Sequence, residues 1–338
     1  MNLQAKILGS LSLTAIGDAM GSATENLPFD EIRRKFGGPV TEFLKSGETA
    51  FALGNEAGGI TDDFSQTYLI SKEILKNERN ITTDVVISSI LRWAEMPQYF
   101  NRFAGPTTRS AVAMYKNPNQ TMAPLEGAVT VDYASKATNG AAMKVSPAGL
   151  FNPGNIENAI KAAITITKVT HDNSLALSGS CAVAASVSAS LGMAKKMSDI
   201  ISIGFYGAKI GEEIGKDNSH YVAGPSVVER MKLGLEIANG SGTKESKLLK
   251  ISQVVGNGLH ISEAVPCAYA IIALNLGNPM QAVIDAVNIG YDTDTIAAIV
   301  GSMVGAFAIQ DSNFNNKLEV IEKVNKIDIR NLAREIAE

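Results

Sequence analysis

The chain has 338 residues, of which 45% are hydrophobic and 19% are charged, a composition typical of a folded protein and unlike that of a disordered one. Its 30 basic and 34 acidic residues give a formal net charge of −4, which disfavours a nucleic-acid-binding surface. Cys181 and Cys267 lie far apart and only three histidines are present, so a disulfide scaffold or a Cys/His metal site is disfavoured and a bound metal ion would need oxygen ligands.

Two stretches imitate membrane signals. Residues 7–16 resemble the core of a short signal peptide, but Gly17 and Asp18 interrupt the region where cleavage would occur. Residues 174–194 are uncharged and long enough to span a membrane, yet they consist largely of Ala, Gly and Ser, which suit a close-packed buried helix. We therefore expect a cytoplasmic protein without a membrane or nucleic-acid partner.

Apolar residues recur at helical spacing along most of the chain. The predicted helices cover residues 3–15, 64–76, 85–94, 156–169, 174–196, 198–215, 225–238, 264–276, 279–289, 295–308 and 316–337. The first is expected to end at Gly17, and Pro225 is expected to open the seventh. The last is predicted as one continuous amphipathic tail.

Alternation of apolar and polar residues is scarce, with residues 41–44 as the one short extended piece and no strand–helix–strand rhythm. The fold class is therefore predicted to be all-α. Residues 240–244 are polar but have apolar helices on both sides, which indicates a surface loop and not a domain boundary. We expect a single domain over residues 1–338, with 311–338 as a C-terminal helical extension.

Two acidic clusters follow glycines at opposite ends of the chain, each at the start of a predicted helix. The first is Thr61-Asp62-Asp63 and the second is Asp292-Thr293-Asp294-Thr295. Carboxylate and hydroxyl oxygens are ligands of Mg²⁺ and Mn²⁺, so the clusters could hold two ions. Taken singly, each is also explained by helix capping. The presence of both favours metal binding, because adjacent aspartates repel each other unless a cation compensates.

Two acidic residues follow the first predicted helix. If that helix ends at Gly17, Asp18 and Glu25 lie in solvent. A functional role would instead require one of these carboxylates to lie beside the metal pair.

A turn of small residues and a histidine complete the candidate site. The turn contains Thr138, Asn139 and Gly140, whose backbone N–H groups could bind an anion. His171 stands near the start of a predicted helix, where a histidine is more often a cap or a surface residue than a ligand contact. The sequence leaves both interpretations of His171 open.

Together these segments resemble the ADP-ribosylglycohydrolase family, which includes dinitrogenase reductase-activating glycohydrolase, the ADP-ribosyl-acceptor hydrolases and the J1 crystallins. The similarity lies, in chain order, in Gly-Asp-Ala-Met-Gly at residues 17–21 with Glu25, Thr-Asp-Asp at 61–63, Asn-Gly-Ala-Ala-Met at 139–143, Thr-His at 170–171 and Gly-Tyr-Asp-Thr-Asp-Thr at 290–295.

The resemblance implies a compact orthogonal helical bundle with a binuclear metal cleft at its centre. It also implies two divalent cations, Mg²⁺ or Mn²⁺, whose ligands would be Thr61, Asp62, Asp63, Asp292, Asp294 and Thr295. Glu25 would be the catalytic residue beside the substrate ribose. The substrate-binding residues would be Thr138, Asn139, Gly140 and His171.

The implied activity is hydrolysis of a ribosyl N- or O-glycosidic bond in an ADP-ribosylated substrate, either a small molecule or a protein. A hydrolase of a smaller ribosyl compound, such as a nucleoside, and a non-catalytic crystallin-like binding protein are the alternatives. Phe64, the segment 135–138 and Tyr291 depart from the family pattern, in which Thr, a glycine-rich run and Gly are frequent. These departures leave the metal ligands in place. Lys136 and Lys144 are the cations expected near the turn.

Overall fold

The computed structural model describes residues 1–119 and 133–338, which are mostly helical. The α-helices of these two ranges are α1 (Leu3–Gly21), α2 (Phe29–Phe36), α3 (Asp62–Lys76), α4 (Thr83–Trp93), α5 (Pro97–Phe103), α6 (Pro106–Lys116), α7 (Ser146–Leu150), α8 (Ile156–Lys168), α9 (Ser174–Gly192), α10 (Met197–Asn218), α11 (Val227–Asn239), α12 (Lys244–Lys250), α13 (Ile261–Leu274), α14 (Pro279–Val287), α15 (Thr293–Val304), α16 (Ser312–Asn325) and α17 (Ile329–Ala337). Residues 41–44 form no strand, and pairing of extended residues in the described ranges is limited to isolated bridges. The all-α prediction is confirmed.

Helices α1 and α15 cross at close range in the core of the molecule. A Cβ atom added to Gly17 would lie 2.4 Å from the carbonyl oxygen of Ala297, and one added to Gly21 would lie 2.4 Å from the Cα of Asp294. The two backbones can approach this closely only because glycine has no side chain. This contact places the first acidic residues of the chain beside the second acidic cluster.

Substitution of Gly301 should test this helix crossing. A Cβ atom there would lie 2.2 Å from the backbone oxygen of Leu13, so Gly301→Ala should force the helices apart and lower the free energy of unfolding by about 3 kcal/mol or more. Gly105→Ala is the matched control, because nothing lies within 4 Å of the added Cβ. Urea titrations that give equal stabilities for the two variants would contradict the close crossing.

Helix α9 lies inside the bundle. It is long and apolar enough to cross a membrane by composition, but 94% of its apolar window is buried within the protein. Helix α10 packs closely against it through glycines of its own, since Cβ atoms on Gly207 and Gly211 of α10 would lie 2.4 and 2.5 Å from carbonyl oxygens of α9. This burial matches the close-packed helix predicted for this segment.

The structure corrects three predicted helix limits. Helix α1 continues through Gly17 to Gly21 because its packing against α15 compensates for the low helix propensity of glycine. Pro225 precedes the Ser226 N-cap of α11 and so lies outside the helix. The predicted tail helix is two helices, because Lys326 adopts a left-handed backbone conformation with φ of 54°.

Five short helices were not predicted: α2, α5, α6, α7 and α12. They span five to eleven residues. Four of them have eight residues or fewer and so contain too few turns to display a clear apolar period. Two of them, α5 and α6, are joined by a segment that forms a wall of the cavity described below.

Candidate metal centre and substrate cavity

Asp18 connects α1 to the first acidic cluster. Its side chain is fully buried and accepts hydrogen bonds from the backbone N–H groups of Thr61 and Phe64, each at 3.0 Å, and from the Thr61 hydroxyl at 2.8 Å. Asp18 therefore caps α3 from another helix, and Thr61 makes no capping bond with its own side chain. The interpretation that places Asp18 in solvent is wrong, and so is a side-chain capping role for Thr61.

The buried carboxylates form two groups that share one member. Oxygen atoms of Asp18, Asp63 and Asp294 lie within 4.8 Å of one another, and so do oxygen atoms of Glu25, Asp292 and Asp294. Asp294 is thus the carboxylate that the two groups share. Asp292 makes no side-chain capping bond to α15, so capping does not account for its carboxylate.

Burial destabilises the charged form of the carboxyl groups of both acidic clusters and of Asp18. It raises the pKa of Asp18 and of Asp62 to about 7, and it raises the pKa of Asp63 well above its usual value. One oxygen of Asp63, Oδ1, is buried without a hydrogen-bond partner. The ammonium group of Lys144 is the buried cation that acts on Asp62 and Asp63, and burial lowers its own pKa to about 7. Within residues 1–119 and 133–338, this one buried lysine leaves most of the carboxylate charge uncompensated.

The donor set fits hard divalent cations. It consists of carboxylate oxygens and the buried hydroxyls of Thr61 and Thr295, which match the ligand preference of Mg²⁺ and Mn²⁺. The unpartnered oxygen of Asp63 and the position of Asp294 in both groups also fit two neighbouring ions.

These pKa shifts predict an unusual pH dependence for the metal-free protein. Carboxyl groups whose pKa is raised on folding stabilise the fold at low pH, and that stability is lost as pH rises through about 7 to 8. His171 and Lys144, whose pKa values are lowered, act in the opposite direction but are outnumbered. In EDTA, the melting temperature should fall by about 5 °C or more between pH 5 and pH 8. A melting temperature that is constant or rises over this range would contradict the shifts.

Glu25 lies in the loop after α1, at the edge of the carboxylate groups. Its carboxylate accepts a hydrogen bond of 3.0 Å from the N–H of Phe51. The next residue, Asn26, donates its N–H to the carbonyl oxygen of Tyr291 at 2.8 Å, and the Tyr291 N–H donates to Leu27 at 3.0 Å. Asn26 and Tyr291 both adopt left-handed conformations with φ of 61° and 58°. This pairing keeps Glu25 next to Asp292, and burial together with the charge of Asp292 raises the Glu25 pKa to about 8.

The small-residue turn contacts both the acidic centre and His171. The Asn139 side-chain amide donates to the Asp292 carboxylate. The Thr138 hydroxyl lies 2.8 Å from Nε2 of His171, and the Thr170 hydroxyl lies 2.7 Å from Nδ1. His171 is only 1% exposed and the N-cap of α9 is Asn173, so the surface and capping interpretations of this histidine are wrong. Burial lowers its pKa well below the usual value and keeps the imidazole neutral.

These groups open into one cavity of about 290 Å³. Its lining residues are Glu25, Phe51, Asp62, Arg102, Phe103, Ala104, Gly105, Pro106, Thr107, Thr108, Thr138, Asn139, Gly140, Met143, His171, Leu259, Asp292, Asp294 and Thr295. All four predicted substrate-binding residues are present, together with Glu25 and four predicted metal ligands. The other two, Thr61 and Asp63, contact the buried groups behind the cavity.

The sequence model of the ADP-ribosylglycohydrolase family matches residues 1–337. The chain belongs to that family. Membership supports a glycohydrolase, and the match extends through the two helices of the predicted C-terminal extension.

Two relatives are similar to this ADP-ribosylglycohydrolase family member over most of their length. The uncharacterised protein YegU of Escherichia coli K12 is 29% identical over 335 residues, which are 98% of this chain and 96% of that protein. An uncharacterised protein of Archaeoglobus fulgidus is 27% identical over 302 residues, which are 88% of this chain and 86% of the other.

A solved structure described as an ADP-ribosylglycohydrolase-related protein complex superposes with a TM-score of 0.68 at 20% identity. The superposition covers 99% of this chain and 98% of that one. At this identity the likeness supports the shared helical fold and leaves the substrate open.

The cavity of this family member contains residues that the sequence motifs missed. Arg102 and the segment 103–108 contribute one wall, and Phe51 and Leu259 contribute others. No metal-binding or nucleotide-binding pattern marks these positions, which reach the cavity only through the packing of α5, α6 and their neighbours.

Lys144 lies at the turn as expected, but neither it nor Lys136 lines the cavity. Lys144 is fully buried and donates to the Gly140 carbonyl oxygen, so it stabilises the turn from within the protein. The Lys136 ammonium lies 5.0 Å from the centre of the Tyr133 ring. Among the lining residues described, the cationic side chain is Arg102.

Proposed function

We propose that this protein is a divalent-metal-dependent glycosidase that hydrolyses the ribosyl N- or O-glycosidic bond of an ADP-ribosylated substrate. The observation that carries the proposal is the position of Asp294, which belongs to two buried carboxylate groups and lines the cavity. The second of these groups includes Glu25. A site of this kind combines charge stabilisation with a carboxylate that can act on water.

The proposed metal ligands are the six residues of the two acidic clusters, which the fold brings to one place. Two divalent cations, when bound, supply Lewis acidity and electrostatic stabilisation to the site. Asp18 keeps the first cluster in place through its bonds to Thr61 and Phe64. Asn139 orients the Asp292 carboxylate of the second cluster in the same way.

Glu25 is the proposed general base. Cleavage of a glycosidic bond passes through an oxocarbenium-like transition state and requires delivery of a water molecule. Glu25 lines the cavity beside Asp292 and Asp294. Without bound ions, burial and the charge of Asp292 raise its pKa to about 8, which makes it more basic than an ordinary glutamate, and bound cations would lower this value. His171 is neutral and serves to hold Thr138 in the turn.

The turn at residues 138–140 is the proposed contact for the diphosphate of an ADP-ribosyl group. Backbone N–H groups in such turns bind anions, and Thr138, Asn139 and Gly140 all line the cavity. The Asn139 N–H already donates to the Leu259 carbonyl oxygen at 2.8 Å, so the proposed donors to the diphosphate are the N–H groups of Thr138 and Gly140. Lys144 reinforces the turn, because its buried ammonium group donates a hydrogen bond to the Gly140 carbonyl oxygen.

A hydrolase of a smaller ribosyl compound is the second candidate. It is favoured by the engagement of Lys144 in the protein interior, which removes that cation from direct contact with a phosphate. In this case the ribose would occupy the carboxylate end of the cavity and no diphosphate would be needed.

A hydrolysis and binding screen tests the proposal. With Mg²⁺ or Mn²⁺, ADP-ribosylated arginine, serine and protein substrates should be hydrolysed faster than nucleosides. By calorimetry, ADP-ribose should bind at least about tenfold more tightly than ribose, because several hydrogen bonds to a charged group each contribute about 1.5–3 kcal/mol. Equal affinities for ribose and ADP-ribose would favour the second candidate. Metal binding without turnover of any riboside would instead indicate a non-catalytic, crystallin-like protein.

A further inference from the structure

Arg102 joins two walls of the cavity that lie far apart in sequence. Its guanidinium donates one hydrogen bond of 2.6 Å to the side-chain oxygen of Asn55 and another of 2.8 Å to the carbonyl oxygen of Leu53. Arg102 belongs to α5, whereas Leu53 and Asn55 belong to the loop at residues 47–55, which we call the Phe51 loop. A planar guanidinium fork is suited to holding two acceptors in a fixed relation.

The Phe51 loop transmits this contact to Glu25. It is a chain of tight turns, in which the N–H of Leu53 donates to Ala50 at 3.1 Å and the N–H of Asn55 donates to Ala52 at 2.8 Å. Between them, the N–H of Phe51 donates to the Glu25 carboxylate at 3.0 Å. The atoms held by Arg102 are therefore two to four residues from the donor that fixes Glu25.

Contacts with neighbouring helices hold α5, the helix that carries Arg102. Phe100 packs edge-on against the fully buried Trp93 with ring centres 5.6 Å apart. The indole N–H of Trp93 donates to Ser65 at 2.9 Å, and Ser65 lies in α3, the helix that begins at Asp62. Arg109 also donates to the carbonyl oxygen of Ala104 at 2.7 Å, just after α5 ends.

We propose that Arg102 is a positioning residue, which clamps the Phe51 loop to α5 and thereby holds the Glu25 carboxylate beside the acidic clusters. The inference rests on the proposed function, in which Glu25 is the base. It assigns Arg102 a role through the loop, because its two terminal nitrogens donate to Asn55 and Leu53, and the test below distinguishes this role from contact with substrate.

Three variants separate clamping from direct recognition of an anionic substrate. Arg102→Gln removes the charge and the two-pronged donor. Arg102→Lys keeps the charge but cannot reproduce the fork. Asn55→Ala keeps the arginine and removes one acceptor. Arg34→Gln is the control, because Arg34 is exposed and pairs with Glu31 of its own helix.

The rate of hydrogen–deuterium exchange in the peptide that contains the Phe51 loop measures how firmly Arg102 holds the loop, and this measurement does not depend on enzymatic turnover. In Arg102→Gln, exchange of this peptide should become about tenfold faster, the expected result of losing charged hydrogen bonds. Asn55→Ala and Arg102→Lys should give smaller increases, and Arg34→Gln should give none. Unchanged exchange in Arg102→Gln would overturn the clamp.

Kinetics and calorimetry complete the test. Arg102→Gln should lower kcat about tenfold through misplacement of Glu25, with Mg²⁺ affinity unchanged within about twofold, and Arg102→Lys should partly restore kcat. A rise in KM for ADP-ribosyl substrates in Arg102→Gln alone, with normal kcat and normal exchange, would assign Arg102 to substrate recognition and overturn the proposal. If wild-type protein hydrolyses no riboside, the proposed function fails, whereas the exchange result still decides whether Arg102 holds the loop.

Discussion

Replacement of Asp294 with Asn should remove both divalent cations and eliminate hydrolysis. Asp294 belongs to both carboxylate groups, so the substitution takes a charged ligand from each potential ion position at once. Loss of an outer-shell partner already costs metal affinity about 10–100-fold, and loss of a shared ligand should exceed that. Calorimetric titration with Mg²⁺ and Mn²⁺ should detect no binding, while circular dichroism should show the wild-type helix content.

Asp63→Asn is the informative companion variant. Asp63 belongs only to the group with Asp18, so this variant should retain one bound ion where Asp294→Asn retains none. Asp84→Asn is a control for loss of an exposed aspartate in the first turn of a helix. The Asp294→Asn protein should also be at least as stable as wild type in EDTA, because it has one fewer buried carboxylate to repel its neighbours. Two ions bound to Asp294→Asn would refute the shared position of Asp294.

The sequence predicts the acidic clusters well because their chemistry is local. Asp62 and Asp63 are adjacent, and Asp292 and Asp294 are separated by one residue, so each cluster is visible as a short motif. The long helices are also predictable, because their apolar periods extend over several turns. The meeting of the two clusters is not a local property, and only the resemblance to a known family implied it.

The role of Asp18 depends on a contact that no local pattern reveals. Its residue propensities predict a helix end at Gly17, but packing against Ala297 continues the helix and turns Asp18 towards Thr61. Tertiary packing here overrides helix propensity. The close helix crossing that requires Gly17 therefore also places Asp18 where it accepts hydrogen bonds from the start of α3.

The cavity wall at residues 102–108 and the contact of Phe51 with Glu25 could not be predicted for a similar reason. Arg102 meets Leu53 across 49 positions of sequence, and Phe51 meets Glu25 across 26. Neither residue belongs to a motif, and each contact has a backbone group on one side, the Leu53 carbonyl oxygen or the Phe51 N–H, which any sequence possesses. Their importance follows only from where the loop and α5 pack.

The final prediction concerns Glu25. Glu25→Gln should lower kcat by about 10²–10⁴-fold, the usual contribution of a general base. The amide retains an oxygen that can accept the Phe51 N–H, so the loop and the cavity should keep their shape. Affinities for Mg²⁺ and for ADP-ribose should therefore change only a few-fold. A variant with the wild-type kcat would disprove the assignment of Glu25 as base.

The pH profile distinguishes a base from a residue that merely shapes the site. A base acts in its deprotonated form, and burial with the nearby charge of Asp292 raises the Glu25 pKa to about 8 in the metal-free protein. Bound cations favour the carboxylate and lower this pKa. The wild-type rate should therefore rise with pH along a limb whose midpoint lies below about 8, and this limb should vanish in Glu25→Gln. Glu25→Asp, which keeps the carboxylate on a shorter side chain, should restore the limb at a reduced rate, because proton transfer depends on both basicity and reach.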